Sequence, residues 1–437
     1  MSGAAPAEIP VVCRGGAGQL LRAGFWVSLM TFAPDGQHLH GRAGRIRVGL
    51  DGRCFGAEDP KGGVYRYVSE LCRALDGLLP EARFFVYMQK PLGHDPGLSD
   101  RWVWRVEPMP FWREVRGPVW LKLRVRGFVA RDRPHVFWAT GTLCPRLSSQ
   151  TKSAVTVHDM NHKLVPETMP LGRLWSHRLF FARDVLRADA VIVNSQGTAA
   201  RLKQFLGREA SAVVRCGVSP QFRRADQGSV KKCLEKYGIE GPYILSVATR
   251  EPRKNLGLLL ETFLSMKGEA LLRKHCLVLA GAQGWKERSI NSAVNRGRAF
   301  GILPIGYVPD DDLPALYSGA DAFIFPSVYE GFGLPVLEAR ACGTPVVATD
   351  IPEIREAGGE DAIYVQPTAR GIAEGILAAL CRKDRDRANR EKLWTWEDSG
   401  RIFAEFLLRL AGAADCGAHA AVGASSESAI KHAARPG

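Results

Sequence analysis

Short runs of apolar, often β-branched residues recur along most of this chain, and stretches with helical periodicity separate them. The runs lie at 46–50, 83–88, 135–140, 154–159, 190–195, 212–217, 243–249, 276–281, 302–308, 322–327, 345–350 and 362–367. Strands that are apolar throughout and alternate with helices are typical of parallel sheets that are buried on both faces. The pattern therefore predicts an α/β protein with Rossmann-like, doubly wound sheets.

An internal echo divides these runs between two related halves. Residues 188–195, ADAVIVNS, and 320–327, ADAFIFPS, share a helix that ends in Ala-Asp-Ala, a short strand and a serine turn. Together with the strand rhythm, the echo favours two doubly wound domains over one large sheet. The polar, strand-poor stretch at 218–240 marks the boundary, so we expect an N-terminal domain over 44–220 and a C-terminal domain over 221–395.

The two ends of the chain depart from this rhythm. Residues 1–43 lack the segment order of a signal peptide and are expected to form an N-terminal extension. Residues 396–411 place apolar side chains along one helical stripe, and we expect this helix to cross back to the N-terminal domain. Residues 412–437 are rich in Ala, Gly and Ser and are predicted to be disordered.

Composition limits the classes of partner and site. The formal net charge of +14 is compatible with nucleic acid, an anionic membrane face or a phosphorylated substrate. No apolar run has the length of a membrane-spanning helix. The ten cysteines form no CxxC pair and the ten histidines no HExxH motif, which predicts reduced thiols, a cytoplasmic protein and no zinc site.

The stretch EGFGLPVLE at 330–338 brackets a glycine turn with two glutamates. Pro335 fits the first turn of a helix, so Glu330 lies in a loop and Glu338 about one turn inside the helix. The two carboxylates are therefore not a stacked pair on one helical face.

The glycines of this stretch indicate a ligand that contains phosphate. Gly331 and Gly333 let the backbone approach a ligand closely, and the N–H groups at the helix start attract an anion. Since carboxylates accept hydrogen bonds from hydroxyls, the stretch suits a phosphate flanked by polyols. The alternative is a structural helix start whose glutamate complements the helix dipole.

Ionisable side chains follow two further predicted strands, at the strand ends where open α/β sheets bind ligands. Arg250, Arg253 and Lys254 follow the run at 243–249, and His158 ends another run. The basic residues can pair with a diphosphate, and the histidine is expected to face the ligand crevice. A solvated basic loop and a structural histidine are the alternatives.

Two other segments each allow two interpretations. Gly62 and Gly63 open a helix after the first strand, which offers N–H groups to an anion or a hydroxyl, although GxGxxG is absent and a plain helix start explains them equally. Residues 113–133 include seven basic and two acidic residues, contain Trp120 and alternate like a strand at 120–126. This segment either contacts anionic lipid or covers the sheet with a solvated face. The DRD at 384–386 is read as surface rather than as a metal site.

The linked motifs resemble family 4 of the glycosyltransferases, the retaining enzymes that use sugar nucleotides and adopt the GT-B fold. The resemblance is carried by GGVYRYVSELCRAL, VTVHDMNHKLVPE, ADAVIVNS, EPRKNLGLLLETF, WTWED and the long block from 306 to 367, and it spans about 44–411. It implies two Rossmann-like domains that face each other across a cleft. One departure is that many members carry Gly-Arg-Leu where this chain has Ala248-Thr249-Arg250, so which arginine clamps the phosphate is open. The EPRKN form resembles a mannosyl- and rhamnosyltransferase branch.

The resemblance implies a role for each matched residue. Glu330 would face the transferred sugar, Glu338 the nucleotide ribose, and Lys254, helped by Arg253, would neutralise the departing diphosphate. His158 would contact the donor sugar across the cleft. The implied donor-binding residues are Gly62, Gly63, Val308, Gly331, Phe332, Gly333, Leu334 and Glu338.

We therefore expect a retaining hexosyltransferase that needs no metal. The favoured donor is GDP-mannose, the acceptor is a growing polysaccharide or lipid-linked glycan, and the place of action is the inner face of the cytoplasmic membrane. A sugar-nucleotide 2-epimerase-like isomerase on the same fold is the alternative. A nucleic-acid-binding protein is disfavoured because the sequence contains no recognised nucleic-acid module.

Overall fold

The computed structural model describes residues 46–56, 62–285, 288–382 and 393–412. The extension at 1–43, the DRD at 384–386 and the tail after residue 412 lie outside the described residues. These described segments belong to one compact unit that begins at Ala43. Within them, no helix is both long and apolar enough to cross a membrane.

Seven parallel strands form the first sheet, in the order β3-β2-β1-β4-β5-β6-β7. The strands are β1 Arg47–Asp51, β2 Arg83–Met88, β3 Trp102–Val106, β4 Val136–Ala139, β5 Lys152–Val157, β6 Ala190–Val193 and β7 Ala212–Val213. The helices of this half are α1 Gly63–Leu78, α2 Pro110–Glu114, α3 Gly117–Leu123, α4 Val125–Asp132, α5 Asn161–Leu164, α6 Leu171–Arg187 and α7 Gln196–Leu206. Because β1 pairs with both β2 and β4, the winding reverses there and leaves a crevice at the carboxyl ends of the two strands.

Six parallel strands form the second sheet and repeat this topology in the order β10-β9-β8-β11-β12-β13. The strands are β8 Tyr243–Val247, β9 Cys276–Ala280, β10 Ile302–Gly306, β11 Ala322–Phe325, β12 Val346–Thr349 and β13 Ile363–Val365. The helices are α8 Gln227–Tyr237, α9 Leu256–Ser265, α10 Arg288–Gly297, α11 Leu313–Gly319, α12 Leu334–Ala341, α13 Pro352–Gly358 and α14 Ala369–Leu380. A final helix, α15, covers residues 396–412. The second switch point lies between β8 and β11.

Each of the twelve apolar runs overlaps a strand, so the predicted α/β class with two doubly wound sheets is confirmed. Several runs continue past their strands into the loops at the carboxyl ends. The strand β3 was missed because it lies at a sheet edge, where four of its five residues are half-buried and Arg105 interrupts the apolar pattern.

Within the segment at 113–133, the part that alternates like a strand is helical, not extended. Residues 120–126 belong to α3 and α4, whose buried side chains include Trp120, Leu121 and Val125. The indole of Trp120 is fully buried and donates a hydrogen bond to Glu107 (2.9 Å). Trp120 is therefore a core residue, and its side chain fits the interpretation in which the segment covers the sheet.

The last helix follows the second sheet in the chain but packs against residues of the first half. Phe403 is fully buried and meets the ring of Trp138 edge-on, with the ring centroids 4.7 Å apart. The ring of Trp396 lies 6.0 Å from that of Tyr67, and the hydroxyl of Ser399 donates to the carbonyl of Arg215 (2.6 Å). These contacts join the last helix to the first half of the chain.

Replacement of Phe403 by Ala should destabilise the protein by about 3–5 kcal/mol, because it removes a large buried ring and leaves a cavity beside Trp138. Chemical denaturation measures the free energy of unfolding. Arg409→Ala, at an exposed position of the same helix, is the matched control and should change it by no more than about 0.5 kcal/mol. Equal effects of the two substitutions would contradict the packing of α15 described here.

Candidate active site

The carboxyl ends of the central strands of both sheets open into one cleft of about 580 Å³. Both halves of the chain line it. Every residue named as catalytic or donor-binding from the sequence lines this cleft: Gly62, Gly63, His158, Arg253, Lys254, Val308, Glu330, Gly331, Phe332, Gly333, Leu334 and Glu338. The structure therefore brings together residues that lie as far apart as 276 positions in the sequence.

Glu330 forms the centre of the cleft's charged cluster, at the switch point of the second sheet. One carboxylate oxygen accepts from Lys254 Nζ (2.5 Å) and the other from Arg253 Nη1 (2.5 Å). Arg253 also donates from Nε to Glu251 (2.9 Å). A backbone hydrogen bond from Val328 N to the carbonyl of Arg253 (2.9 Å) joins the loops after β8 and β11, so the charged side chains start from a fixed backbone.

Burial and neighbouring charge act in opposite directions on this cluster. Burial alone would raise the pKa of Glu330, but the positive charges of Arg253 and Lys254 outweigh it and hold that pKa at about 2. Burial, and then the charge of Arg253, lower the pKa of Lys254, while Glu330 opposes both. The carboxylate therefore remains ionised at neutral pH and supports two closely spaced cations.

Arg250 departs from the other two basic residues of its loop. Its guanidinium donates to Asn291 of α10 (3.1 Å) and lines a separate cavity of about 500 Å³ that also includes Gln283 and Arg298. Arg253 and Lys254 are thus the members of the basic loop that face the cleft.

The glycine loop after β11 is docked on the first half of the chain. A Cβ atom at Gly331 would lie 1.9 Å from the carbonyl oxygen of His158, so no larger residue fits without movement of the backbone. The carbonyl of Gly331 accepts from the hydroxyls of Ser195 (2.8 Å) and Thr198 (3.2 Å) at the start of α7. Gly333 has a positive φ of 105° and leads into α12, whose second position is Pro335.

Glu338 lies on α12 and is almost fully buried, at 3% exposure. It forms an ion pair with Arg66 of α1 and accepts a hydrogen bond from the hydroxyl of Tyr317 (3.0 Å). Burial raises the pKa of Glu338, and Arg66 and Tyr317 limit the rise. Arg66 also pairs with Asp310, so one guanidinium from the first half holds two carboxylates of the second.

Sequence reasoning missed Arg66 as a member of the site. It lies on α1 next to the buried Tyr67 and Val68. From the sequence alone it is indistinguishable from an ordinary surface arginine. The available signal was its position, three residues after the Gly62–Gly63 pair that was already proposed to face a ligand.

His158 follows β5 and is held in one tautomer by its surroundings. Its Nε2 atom lies 2.7 Å from the carbonyl oxygen of Thr140, which can only accept, so Nε2 carries the proton. Tyr67 packs edge-on against the ring at 5.1 Å. Burial lowers the pKa of His158, which makes the neutral imidazole the dominant form at neutral pH and leaves Nδ1 as an acceptor.

The remaining predicted donor-binding residues form the walls of the cleft. Gly62 has a φ of 135°, a conformation that favours glycine, and begins α1 at the cleft mouth. Gly63 approaches Leu334, since a Cβ at Gly63 would lie 3.9 Å from its side chain. Val308 and Phe332 are almost fully buried, at 4% and 5% exposure, so their backbones rather than their side chains are offered to a ligand.

The chain matches two protein families, one in each half. Residues 61–222 match the family described as Glycosyltransferase Family 4, and residues 232–392 match Glycosyl transferases group 1. Together the two matched ranges include every residue named above as catalytic or donor-binding.

Two curated relatives and one solved structure illustrate the similarity. The chain is 31% identical to the Escherichia coli O-antigen chain mannosyltransferase B, over 52% of this chain and 61% of that protein. It is 25% identical to a Mycobacterium tuberculosis GDP-mannose-dependent alpha-(1-6)-phosphatidylinositol monomannoside mannosyltransferase, over 79% of this chain and 94% of that protein. Sucrose-phosphate synthase from Thermosynechococcus elongatus matches the fold with a TM-score of 0.61 at 19% identity, over 87% of this chain and 100% of that chain. The chain thus spans less than two thirds of the length of the E. coli relative.

Arg66→Ala should destabilise the protein by about 3 kcal/mol, the lower end for a broken buried ion pair, because Arg66 keeps a fifth of its side chain exposed. Urea denaturation measures the loss. Arg73→Ala is the control on the same helix: its side chain is 48% exposed, and its pair with Glu70 should contribute less than about 1 kcal/mol. If both variants lose the same stability, Arg66 does not hold the buried carboxylate of Glu338 as described.

The pairing of Glu330 should make stability depend on pH in a defined direction. Its folded pKa of about 2 lies below the ordinary 4.5, so the stabilisation is complete above pH 4.5 and is lost as the pH falls toward 2. The difference in unfolding free energy between the wild type and Glu330→Gln should therefore narrow over that window by up to about 3 kcal/mol. A difference that stays constant from pH 6 to the acid limit of folding would contradict the ion triad.

The matched control for this pH series is Glu374→Gln on α14. That carboxylate is 62% exposed and pairs with Arg370 on the surface. Its substitution should change the unfolding free energy by less than about 1 kcal/mol across the same pH series.

Proposed function

Because the chain belongs to family 4 of the glycosyltransferases and has the GT-B fold, we propose that it transfers a hexose from a sugar nucleotide to a glycan or lipid-linked glycan. One observation carries the proposal. A buried carboxylate, Glu330, holds Lys254 and Arg253 side by side at the switch point of the second sheet, next to a helix that begins at a glycine. Two preorganised cations beside the start of a helix form an environment suited to a diphosphate.

The proposed reaction breaks the bond between the anomeric carbon of the donor sugar and a phosphate oxygen. A bond from the acceptor hydroxyl to the same face of that carbon replaces it, and the acceptor proton passes to the departing phosphate oxygen. Negative charge therefore grows on the diphosphate as it leaves. Lys254 and Arg253 stabilise this charge more in the transition state than in the ground state, which is the condition for catalysis.

The carboxylate of Glu330 has two tasks in this scheme. It orients the ammonium of Lys254 and keeps it protonated against the effect of burial. It also offers acceptor oxygens to hydroxyls of the transferred sugar. His158 adds a second acceptor through Nδ1, because its Nε2 proton is engaged by the carbonyl of Thr140.

Glu338 is proposed to accept hydrogen bonds from the ribose of the nucleotide. In the described structure its oxygens are engaged by Arg66 and Tyr317. A ribose hydroxyl that reaches Glu338 therefore competes with Arg66, and the released guanidinium remains close enough to the cleft to contact the donor. The backbone near Val308 is proposed to meet the base.

GDP-mannose is the proposed donor, and a growing polysaccharide or a lipid-linked glycan is the proposed acceptor. Similarity to an O-antigen mannosyltransferase and to a GDP-mannose-dependent enzyme supports this choice, together with the EPRKN motif. Lys254 and Arg253 provide the charge that neutralises the diphosphate, so we propose that no metal ion is required. We place the reaction at the inner face of the cytoplasmic membrane.

Thermal shift with GDP, UDP and ADP tests the nucleotide site. GDP should raise the melting temperature, since a ligand that binds the folded state stabilises it as RT ln(1 + [L]/Kd). Lys254→Ala should abolish most of the shift and of the transferase activity. Lys231→Ala, at a lysine with an 80% exposed side chain on α8, is the control and should retain both.

Product analysis with GDP-mannose and an oligosaccharide acceptor separates the candidate activities. A glycosyltransferase releases GDP only as acceptor is consumed. Conversion of the donor to an epimer without any acceptor would favour the isomerase instead. The absence of a shift with every nucleoside diphosphate would remove the proposed function.

A further inference from the structure

Exposed apolar side chains are concentrated on one part of the first half. Of the thirteen large apolar side chains that are exposed in the described residues, four lie within residues 109–123 and four on α6. Chance scatter of single exposed residues needs no explanation, but a concentration on neighbouring elements marks an interaction surface.

Helix α6 is apolar on two faces. The buried side includes Leu174, Phe181 and Val185, of which Phe181 and Val185 belong to the core beside the first sheet. The other side exposes Leu171 (71%), Trp175 (58%), Leu179 (64%) and Leu186 (49%). At about 100° per residue these four lie within an arc of roughly 80°, and the helix is about 25 Å long. The exposed residues therefore form a continuous stripe rather than isolated positions.

Helix α3 packs beside α6, on the flank of the helix away from the stripe. Lys122 of α3 forms an ion pair with Asp184 of α6, and its ammonium lies 5.2 Å from the ring centroid of Phe180. The exposed Val119 (44%) and Leu123 (58%) of α3 are therefore not part of the stripe. We call the stripe and its two flanking arginines, Arg178 and Arg183, the apolar–basic face; its apolar members are Leu171, Trp175, Leu179 and Leu186.

The charge of this face has one sign. Helix α6 carries exposed arginines at 173, 178, 183 and 187, and its single acidic residue, Asp184, is fully buried and paired with Lys122. Across residues 109–123 the exposed carboxylate is Glu114, which lies 3.8 Å from Lys90. Leucine and tryptophan bordered by arginine, with little exposed acid, is the composition that binds the surface of an anionic bilayer.

We infer that the apolar–basic face docks the protein on the surface of an anionic lipid bilayer. A second copy of the chain is a less suitable occupant, because two such faces would bring their arginines into mutual repulsion. The helix that carries the face also reaches the cleft: Arg173, on another side of α6, lines it and lies 5.6 Å above the ring of Trp285. This arrangement presents the cleft to an acceptor that is anchored in the same bilayer, a consequence that rests on the proposed function.

Co-sedimentation with vesicles tests the inference. The wild-type chain should bind vesicles of phosphatidylcholine with phosphatidylglycerol and bind poorly to phosphatidylcholine alone. The double variant Trp175→Ala/Leu179→Ala should lose apolar contact, and Arg178→Glu/Arg183→Glu should lose attraction, each lowering the affinity for anionic vesicles at least about tenfold. Phe300→Ala and Arg370→Ala, at exposed positions of the second half (58% and 89%), are the controls and should bind like the wild type.

The thermal shift with GDP, measured on the same variants, separates this inference from the proposed function. Both double variants should keep the wild-type shift, so a loss of vesicle binding cannot be attributed to unfolding or to the nucleotide site. If GDP fails to bind the wild type while the vesicle results hold, the docking face stands and the proposed function falls. Failure of the wild type to bind anionic vesicles, or binding that survives both double variants, would overturn the inference. So would a stable dimer in sedimentation velocity that Trp175→Ala/Leu179→Ala dissociates.

Discussion

The ion triad of Glu330, Lys254 and Arg253 is the interaction on which the site depends. One buried carboxylate accepts hydrogen bonds from both cations and offsets the repulsion between them, which little solvent is present to screen. The two positive charges also explain why the pKa of Glu330 stays at about 2 in spite of burial. Without Glu330 the two positive side chains would keep only Glu251, which pairs with Arg253, as an ion-pair partner among the described residues, so the shared carboxylate is what allows both cations to lie next to the cleft.

Other contacts around the cleft connect the two halves of the chain. Arg66 reaches from α1 to Glu338 on α12, and Gly331 packs its backbone against His158 while its carbonyl accepts from Ser195. Helix α15 adds an apolar contact through Phe403 and Trp138. A ligand that competes for Glu338 therefore acts on a contact between the two halves.

The sequence predicted the buried part of the fold well because burial leaves a local pattern. Strands such as β2 and β5 are apolar along nearly their whole length and could be found by inspection, while the edge strand β3 could not, since half-burial tolerates Arg105. The residues named for the site came from positions at strand ends, from glycines and from the family resemblance; the catalytic and donor-binding residues all line the cleft, while Arg250, also at a strand end, lines a separate cavity. What failed were properties set by tertiary contacts. Trp120 reads as a surface aromatic within a basic segment until its burial against Glu107 is known, and Arg66 reads as a surface residue until α1 and α12 are brought together.

A structure of the chain with GDP bound tests the central claim most directly, because it locates the diphosphate relative to the ion triad. We expect phosphate oxygens within hydrogen-bonding distance of Lys254 Nζ and of the guanidinium of Arg253, with the ribose hydroxyls on Glu338 in place of at least one contact from Arg66. A nucleotide bound away from the triad, with Lys254 and Arg253 still engaged by Glu330 alone, would contradict it.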